Sequence, residues 1–412
     1  MIDSLLVLSF LFWFFVAPAA LAALFSIRTG RNYLEYVEDA VREPHPEDDP
    51  QDDPPAPPYH PPVSLIIPVK GLDHDLAENL RSLARQDYPD FELIVVCRSA
   101  SDEALRVARM ALEGQARVVL SDQPPGDTGE KVHNLQHGVR LARLESEVFV
   151  FADSDGQVTS GWLRALVNPL GDESIGATTG FRWYFPEEGG FWPLLRSVWD
   201  STIAGNMNTK DRSFAWGGGM ALRRKTFEQA RVADFWKGAV SDDYRLTTAL
   251  NKAGFGIRFV PRGMVATTGS CSRQEFLDWA QRQLVITKVY RKKLWVAGFI
   301  SHIFYCGAMV MSLAMALAGS PLSIAGFVVT VIPGMGKGAM RGYAARLMFP
   351  ERHEWLDHFC WAYYWLVPLA TWVWLYAFVC SAVTRRIEWR GNIYELIAPD
   401  RTRTLSGPAN PA

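Results

Sequence analysis

The sequence predicts an α/β domain built on a doubly wound, largely parallel sheet and flanked by transmembrane helices. Three observations support this fold class. Between residues 63 and 153, short apolar runs alternate with segments of helical periodicity. The apolar runs are hydrophobic at consecutive positions, as expected for strands of a parallel sheet that is covered on both faces. Near both ends of the chain lie apolar stretches long enough to cross a bilayer.

The composition excludes some classes of protein. The chain has 412 residues, enough for two or more domains, and its formal net charge of −2 gives no indication of nucleic-acid binding. Hydrophobic residues make up 49% of the chain and there are 15 tryptophans, more than a soluble enzyme usually has. The five cysteines lack the spacing of a zinc site or a disulfide framework, which fits a reducing compartment. We therefore expect an integral membrane protein with no nucleic-acid partner.

The first element is an apolar stretch from Leu5 to Phe25, which is long enough to cross a bilayer. We expect an uncleaved N-terminal transmembrane anchor over residues 1–27 rather than a signal peptide, because no basic residue precedes the stretch. Arg28 and Arg31 follow it, so the positive-inside rule places the chain from residue 28 onward in the cytosol. Residues 28–62 are acidic and rich in proline, and this composition predicts a flexible linker.

From Val63 onward the pattern is that of alternating strands and helices. Predicted strands cover residues 63–68, 91–97, 116–120 and 148–152, and predicted helices between them cover residues 76–86, 102–113 and 130–144. Right-handed crossovers between parallel strands make this a Rossmann-like half. A dinucleotide enzyme is disfavoured, because no Gly-x-Gly-x-x-Gly stands at the first strand-to-helix turn.

Two carboxylates follow the last of these strands directly, in the sequence Asp153-Ser154-Asp155-Gly156. Ligands of open α/β sheets bind beyond the carboxyl ends of the strands. A carboxylate pair at that edge can hold a hard divalent cation that also binds phosphates. Because Asp, Ser and Gly are ordinary turn formers, the pattern taken alone is more typical of a simple turn, whereas the other features of the chain favour the cation site.

Three further features lie between this turn and the C-terminal apolar segments. Phe191–Ile203 has an apolar, aromatic-rich helical face, which suits either a membrane interface or an ordinary core helix. The glycines of residues 217–219 suggest a loop that needs close backbone approach or unusual dihedral angles. Asp242 and Asp243 follow Ser241 at the start of a predicted helix. Capping and the helix dipole explain one of these two acids, but do not require both.

The C-terminal part, residues 293–384, is predicted to contain further transmembrane helices. Trp295–Ala318 is a second span, Leu322–Pro333 is a shorter apolar run, and His358–Val383 is the last apolar segment. Tryptophan and tyrosine cluster in the last segment, as expected near lipid headgroups. The charges fit neither two nor three C-terminal spans cleanly, so the number of spans stays open. Residues 385–412 are predicted to be a tail.

Several short motifs occur in a fixed order along this chain. They are Pro68-Val69-Lys70-Gly71-Leu72-Asp73, Gln86-Asp87-Tyr88-Pro89, Glu130-Lys131-Val132-His133-Asn134, Asp153-Ser154-Asp155, Gly219-Met220, Asp242-Asp243-Tyr244 and Gln281-Arg282. This ordered set resembles the ceramide glucosyltransferases and related membrane-bound, processive-type family 2 glycosyltransferases. The resemblance covers about residues 63–290 and the membrane segments around them. It implies a GT-A fold, a Rossmann-like mixed sheet, for a catalytic domain over residues 63–292.

The resemblance also implies roles for the acidic residues. Asp153 and Asp155 match the aspartates that bind the metal and the nucleotide, and the implied metal is Mg2+ or Mn2+. Asp243 matches the general base that takes a proton from the acceptor hydroxyl. Asp242 is expected to contact substrate and to disfavour ionisation of its neighbour through like charge.

Basic and amide side chains are implied at the nucleotide diphosphate. Lys131 and Asn134 match a Lys-x-x-Asn segment near the diphosphate, and Lys70 is a further candidate cation for the phosphates. Gln281 and Arg282 match the start of a Gln/Arg-x-x-Arg-Trp motif in the same family.

Two positions depart from the family pattern. Residues 285–286 are Val-Ile where the family has Arg-Trp, and the first family aspartate falls on Ser99. We expect either the Ser99 hydroxyl or Asp102 to contact the nucleotide base. The residues that could supply the missing charge are Arg282, Lys288 and Arg291.

The function implied by the resemblance is inverting transfer of a sugar, glucose or another hexose, from a UDP-sugar to a membrane lipid hydroxyl. The product would be a β-glycolipid, with a ceramide-like acceptor favoured, and the catalytic domain is expected on the cytosolic side of the inner (plasma) membrane. One alternative is a polysaccharide synthase that extends a glycan chain, which product length would distinguish. Another is a non-catalytic membrane scaffold, which would bind the nucleotide without turnover.

Overall fold

The computed structural model of the chain describes residues 2–42, 59–121, 127–207 and 211–406. The chain forms two compact units. The helical unit comprises residues 1–38, 185–206 and 270–384, and the sheet unit comprises residues 39–184, 207–269 and 385–412. The sheet unit therefore holds most of the predicted catalytic domain, whereas residues 185–206 and 270–292 of that domain belong to the helical unit.

The described residues contain strands and helices over most of their length. The strands are β1 Val63–Val69, β2 Phe91–Cys97, β3 Arg117–Leu120, β4 Val148–Ala152, β5 Ile175–Thr179, β6 Arg182–Tyr184, β7 Gly219–Arg223, β8 Gly256–Phe259, β9 Val265–Thr267, β10 Arg386–Trp389, β11 Asn392–Ala398 and β12 Arg401–Ser406. The helices are α1 Ile2–Arg42, α2 Leu76–Ala84, α3 Glu103–Ala111, α4 Glu130–Leu141, α5 Trp162–Val167, α6 Phe191–Ala204, α7 Arg224–Gln229, α8 Val232–Trp236, α9 Asp242–Ala253, α10 Arg273–Tyr290, α11 Lys292–Leu317, α12 Leu322–Met348, α13 His353–Phe359, α14 Ala362–Trp365 and α15 Val367–Ala382.

The centre of the sheet unit is a seven-stranded sheet with the strand order β3-β2-β1-β4-β7-β5-β8. The first four of these strands are parallel, and β7 runs antiparallel to both β4 and β5. The prediction of a doubly wound, mixed α/β sheet is confirmed. The central strands β1 and β4 are buried at every position, which explains why their sequences are apolar without alternation.

The strand order reverses between β1 and β4, and two of the predicted site residues follow these strands directly. The chain leaves β1 toward β2 and β3 on one side, and β4 later pairs with β1 on the other side. In open α/β sheets such a reversal opens a crevice at the carboxyl ends of the strands. Lys70 follows the end of β1, and Asp153 follows the end of β4.

Helix α4 packs against β1 and β2 and lies very close to β1. A Cβ atom at Gly138 would lie 2.4 Å from Cγ2 of Ile66, so only glycine permits this approach. Val132 and Leu135 of the same helix are buried in the core of the unit. This packing brings Lys131, in the first turn of α4, to the edge of the sheet where the acidic residues lie.

The helical unit contains helices long and apolar enough to cross a membrane. They cover Leu6–Arg42, Lys292–Leu317 and Leu322–Met348, and α15 is a shorter apolar helix. The long helices coincide with three of the predicted apolar segments, whereas the predicted segment His358–Val383 is divided among α13, α14 and α15. Within this unit α6 is a packed aromatic helix, because Trp199 is fully buried and stacks on Trp374 of α15 with ring centroids 3.9 Å apart.

Two segments have more structure than the sequence analysis predicts. Helix α1 continues to Arg42, through part of the predicted linker, and an i,i+4 pair between Arg31 and Glu35 supports the extension. The rest of the linker up to residue 58 lies outside the described residues. In the predicted tail, β10, β11 and β12 form an antiparallel three-stranded sheet that belongs to the sheet unit.

Candidate active site

Lys131 joins the two acidic pairs that the sequence singles out. Its Nζ lies 2.7 Å from Oδ1 of Asp153, after β4, and 3.3 Å from Oδ1 of Asp242, at the start of α9. It also donates a longer hydrogen bond, 3.4 Å, to the carbonyl oxygen of Gly217. Residues about 110 positions apart in the chain therefore meet at one ammonium group. The structure thus brings these side chains together, and the roles predicted for them stay predictions.

The charges of this cluster depend on one another. Burial by itself lowers the pKa of Lys131, but the carboxylates of Asp153, Asp242 and Asp243 outweigh it and raise that pKa above its ordinary value. Burial raises the pKa of Asp242 to about 7 and also raises that of Asp153, while the Lys131 charge opposes both shifts. The ammonium group is thus the main factor that favours the ionised forms of these two carboxylates.

The glycine loop before β7 lies directly against this cluster. A Cβ atom at Gly217 would lie 2.3 Å from Oδ2 of Asp242 and 2.8 Å from Nζ of Lys131. A Cβ atom at Gly218 would lie 3.0 Å from Oδ2 of Asp153. Antiparallel pairing of β7 with β4 brings the loop there. The prediction that these glycines serve close backbone approach is confirmed.

Asp242 and Asp243 are adjacent in sequence but have different surroundings. Asp242 is buried against Lys131. Asp243 is only half-buried, and its Oδ1 accepts hydrogen bonds from the Ser241 hydroxyl and from the backbone N–H of Tyr244, the latter at 2.7 Å. Its Oδ2 has a long contact, 3.4 Å, with the N–H of Gly217. The first turn of α9 thus fixes one oxygen of Asp243 and leaves the other less engaged.

Asp155 is the second carboxylate of the turn after β4, and a further aspartate lies beside it. The Ser154 hydroxyl donates a 2.7 Å hydrogen bond to Oδ2 of Asp73, which follows β1. Burial raises the pKa of Asp73, the nearby Arg390 lowers it, and the negative charge of Asp155 raises it again. On its other side, Asp155 lies 3.8 Å from Nη1 of Arg182.

The donor atoms fit a divalent cation that also binds phosphate. Among the described residues there is no cluster of three or more His, Cys, Asp or Glu side chains that could hold a metal by itself. Mg2+ in nucleotide sites, however, is usually held by one or two carboxylates together with substrate phosphates. Asp153 and Asp155 are partly exposed and offer such a pair, with Oδ1 of Asp153 already engaged by Lys131.

Lys70, predicted to bind phosphate, forms an ion pair with Glu130. Its Nζ lies 2.6 Å from Oε2 of Glu130, and Nη1 of Arg98 lies 3.2 Å from the same oxygen. Burial alone raises the pKa of Glu130, but hydrogen bonds from Lys70 and Asn392 lower it below its ordinary value. The role of Lys70 at a phosphate stays a prediction.

The residues predicted to contact the nucleotide base lie at the neighbouring strand end. Asp102 caps α3 by accepting from the N–H of Ala104 at 2.9 Å, and it also accepts from the N–H of Gly71 at 3.0 Å. The Ser99 hydroxyl lies 2.8 Å from that of Ser101. Asp102 therefore ties the loop after β1 to α3.

The remaining predicted residues are placed elsewhere. Asn134 is buried in α4 and accepts a 3.0 Å hydrogen bond from the Ser121 hydroxyl. Gln281 and Arg282 are half-buried residues of α10 in the helical unit. The substrate roles of these three residues stay predictions.

The C-terminal sheet also contributes to this site, although residues 385–412 are predicted from the sequence to be a tail. Arg390, in the turn between β10 and β11, forms an ion pair with Asp73. Asn392 donates a 2.8 Å hydrogen bond to Oε2 of Glu130, and the N–H of Glu130 donates to the Tyr394 hydroxyl at 3.2 Å. Apolar and polar residues alternate on either side of the Arg390-Gly391 pair, and this pattern is typical of a β-hairpin.

Comparison with solved structures supports the class that the fold and site indicate. The mannosyltransferase PcManGT from Pyrobaculum calidifontis, solved with GDP-Man and Mn2+, is similar with a TM-score of 0.51. The similarity covers 89% of this chain and 98% of that chain at 19% sequence identity, so it shows the fold alone. The chain therefore has the GT-A fold of glycosyltransferases, combined with long apolar helices.

The sequence identifies the family within this class. The profile described as glycosyl transferase family 21 matches residues 12–401, and the chain belongs to that family of glycosyltransferases. Ceramide glucosyltransferase 1 of Caenorhabditis elegans is 34% identical over 102 residues, 23% of this chain and 22% of that relative. Ceramide glucosyltransferase 3 of the same organism is 23% identical over 227 residues, 52% of this chain and 48% of that relative. The matches thus span less than half the length of either relative, and the resemblance to this group is confirmed.

Proposed function

We propose that the protein transfers a hexose, with glucose favoured, from a UDP-sugar to a hydroxyl group of a membrane lipid. The observation that carries the proposal is the Lys131 bridge, which brings the acids after β4 and the acids of α9 to one site. A donor site and an acceptor base must lie this close for a single displacement at a sugar carbon. Membership of family 21 and the similarity to ceramide glucosyltransferases support the sugar-transfer chemistry and a ceramide-like acceptor.

In this proposal the acidic pair after β4 binds the metal ion, and the acidic pair of α9 supplies the general base. Asp153 and Asp155 would hold Mg2+ or Mn2+, which supplies positive charge to the departing diphosphate. Asp243 takes the proton of the acceptor hydroxyl as that oxygen attacks the anomeric carbon, and Oδ2 is its less engaged oxygen. Lys131 fixes Asp153 and Asp242 in place and favours the ionised form of Asp242. A single displacement converts an α-linked donor into a β-linked glycolipid.

The long apolar helices are consistent with a lipid acceptor. Moving a lipid chain out of the bilayer costs about 0.8 kcal/mol for each CH2 group, so an enzyme that acts on lipids gains from being held at the membrane. The helices over 6–42, 292–317 and 322–348 are long enough to do so. We propose that the sheet unit faces the cytosol, where nucleotide sugars are available, as the arginines after the first span predict.

The test uses the full chain purified in detergent and returned to lipid vesicles. The protein is incubated with UDP- and GDP-sugars and a total membrane lipid extract, with Mn2+ or with a chelator, and products are analysed by mass spectrometry. The proposal predicts a metal-dependent gain of one hexose on a discrete lipid. A ladder of added hexoses would instead identify a polysaccharide synthase, and binding of nucleotide sugar without product would identify a scaffold.

A further inference from the structure

The hairpin turn between β10 and β11 places an arginine where the backbone disfavours one. Trp389 pairs with Asn392 across the turn, so Arg390 and Gly391 form a two-residue loop. Both have positive φ angles, 53° and 74°. Such loops favour Asn, Asp or Gly at the first position, because a side chain with a Cβ is strained there. Strained backbone that the surrounding structure maintains is typical of functional sites.

The Arg390 side chain contacts the loop after β1, which is hydrogen-bonded to the turn that carries the predicted metal ligands. Its Nη2 forms an ion pair with Oδ1 of Asp73, and its Nη1 donates a 3.0 Å hydrogen bond to the carbonyl oxygen of Lys70. Asp73 in turn accepts from Ser154, the residue between Asp153 and Asp155. The Arg390 charge also interacts with the carboxylates of Asp155 and Asp153.

Arg390 is the most exposed of the five cations around this site. Its side chain is 35% exposed, compared with 15% for Lys131 and 19% for Lys70. The other two, Arg98 and Arg182, are 18% and 11% exposed. Lys131 lies between two aspartates, and Lys70 and Arg98 share the carboxylate of Glu130. Of these five cations, Arg390 therefore offers the most accessible surface to an incoming anion.

The C-terminal sheet, which carries this arginine, is attached to the rest of the site at three places. Asn392 and Tyr394 bind Glu130, the residue before Lys131. The Thr402 hydroxyl donates a 2.9 Å hydrogen bond to the carbonyl oxygen of Gly238, just before the acids of α9. The sheet therefore contacts the loop after β1, the start of α4 and the loop before α9. A guanidinium group on such a support is well suited to a planar, two-point contact with phosphate.

We propose that Arg390 binds the diphosphate of the donor nucleotide, with Asp73 fixing the orientation of its guanidinium group. A guanidinium carries five N–H donors, so those that Asp73 and Lys70 leave unused can donate to phosphate oxygens. The C-terminal sheet is then part of the donor site rather than a tail. This inference rests on the proposed function, because it assumes that a nucleotide diphosphate is the donor's leaving group.

The test compares UDP with uridine, which differ only in the diphosphate, and includes GDP, which carries the same diphosphate on another base. Binding of UDP, GDP and uridine to the full chain in detergent with Mn2+ is measured by titration calorimetry for wild type, Arg390→Ala and Arg390→Lys. The matched controls are Arg386→Ala and Arg403→Ala, exposed arginines of the same sheet that pair with Glu395. We expect Arg390→Ala to weaken diphosphate binding by about 10- to 150-fold, the loss expected for a hydrogen bond to a charged group, with uridine binding unchanged.

The other outcomes separate this inference from the proposed function. We expect the diphosphate affinity of Arg390→Lys to lie between those of wild type and Arg390→Ala. Lysine keeps the positive charge but cannot make the planar, two-point contact of a guanidinium group. Equal losses of UDP and uridine binding in Arg390→Ala would indicate a structural brace and overturn the assignment. Wild-type diphosphate affinity in that variant, with sugar transfer intact in wild type, would overturn it while leaving the proposed function standing. Absence of diphosphate binding to wild type would overturn both.

Discussion

Replacing Lys131 with methionine tests whether one ammonium group holds the two acidic pairs together. Methionine keeps most of the length and apolar surface of the side chain but removes its charge. The substitution leaves Asp242, which is 3% exposed, without its cation 3.3 Å away. It also removes the 2.7 Å partner of Asp153, which is 26% exposed and therefore better hydrated once unpaired.

The expected cost follows from burial. Breaking a buried ion pair by removing one partner costs about 3–5 kcal/mol, because the remaining charge is left desolvated. Since water can partly compensate at Asp153, we expect a value near the lower end, about 3 kcal/mol. For a unit of this size, 1 kcal/mol corresponds to about 2–4 °C in the unfolding midpoint. Lys131→Met should therefore lower the midpoint by about 6–12 °C.

The assay is thermal unfolding of the purified full chain, followed by tryptophan fluorescence. A matched control is Lys237→Met, which breaks a lysine–aspartate contact of the same 2.7 Å length at the surface, where the side chains of Lys237 and Asp234 are 75% and 39% exposed. Such surface pairs contribute about 0–1 kcal/mol. The double variant Lys131→Met/Asp242→Asn should recover much of the loss, because an amide needs no counter-charge. If Lys131→Met unfolds at the same temperature as the surface control, the ammonium bridge does not hold the site as described.

Two further substitutions probe the site itself. Asp155→Asn should raise the Mn2+ concentration needed for half-maximal transfer by at least about tenfold, because an amide oxygen is a weaker ligand for a hard cation than a carboxylate; an unchanged metal titration would remove Asp155 from the metal site. Gly217→Ala should lower transfer activity by about 10- to 100-fold. The new Cβ would lie 2.3 Å from Oδ2 of Asp242 and push that side chain away, and a displacement of about 1 Å in an active site is enough for such a loss. Gly161→Ala, where a Cβ meets no atom within 4 Å, is the control, and equal activity of the two variants would contradict the close approach.

The sheet and its acidic turn are predictable from sequence because their signals are local. The strands β1 and β4 are buried at every residue, so their runs of consecutive apolar residues are unambiguous. The turn Asp153-Ser154-Asp155 ends such a run, and the position of ligands at strand ends is a general rule of α/β sheets. The glycines of residues 217–219 are also recognisable from the sequence, because a run of glycines is typical of close backbone approach or unusual dihedral angles.

The partners of these residues were not predictable, because they are set by contacts distant in sequence. No local sequence pattern distinguishes the two lysines, yet Lys131 bridges two aspartates whereas Lys70 pairs with Glu130. Asp242 and Asp243 look alike as first-turn acids, and only the burial of Asp242 separates them.

The C-terminal strands were missed for a different reason. Their short, arginine-rich sequence after an apolar helix resembles a solvated tail, and a hairpin needs a surface to pack against in order to be stable. Here that surface includes Glu130, which binds Asn392 and Tyr394, and Gly238, where a Cβ would lie 2.0 Å from the carbonyl oxygen of Asp400. The extension of α1 beyond the predicted anchor likewise has support from within its unit, since Tyr33 and Val37 are buried.

Sugar transfer to a lipid with Asp243 as the general base is tested by measuring transfer of labelled hexose from a nucleotide sugar into the lipid phase. The measurement compares wild type with Asp243→Asn. Asp234→Asn serves as control, since Asp234 is a surface acid paired with Arg231 and Lys237. We expect transfer by wild type and by the control, and a loss of about 100- to 10,000-fold in Asp243→Asn with normal unfolding, as for removal of a general base. Full transfer by a normally folded Asp243→Asn protein would contradict the assignment of this site.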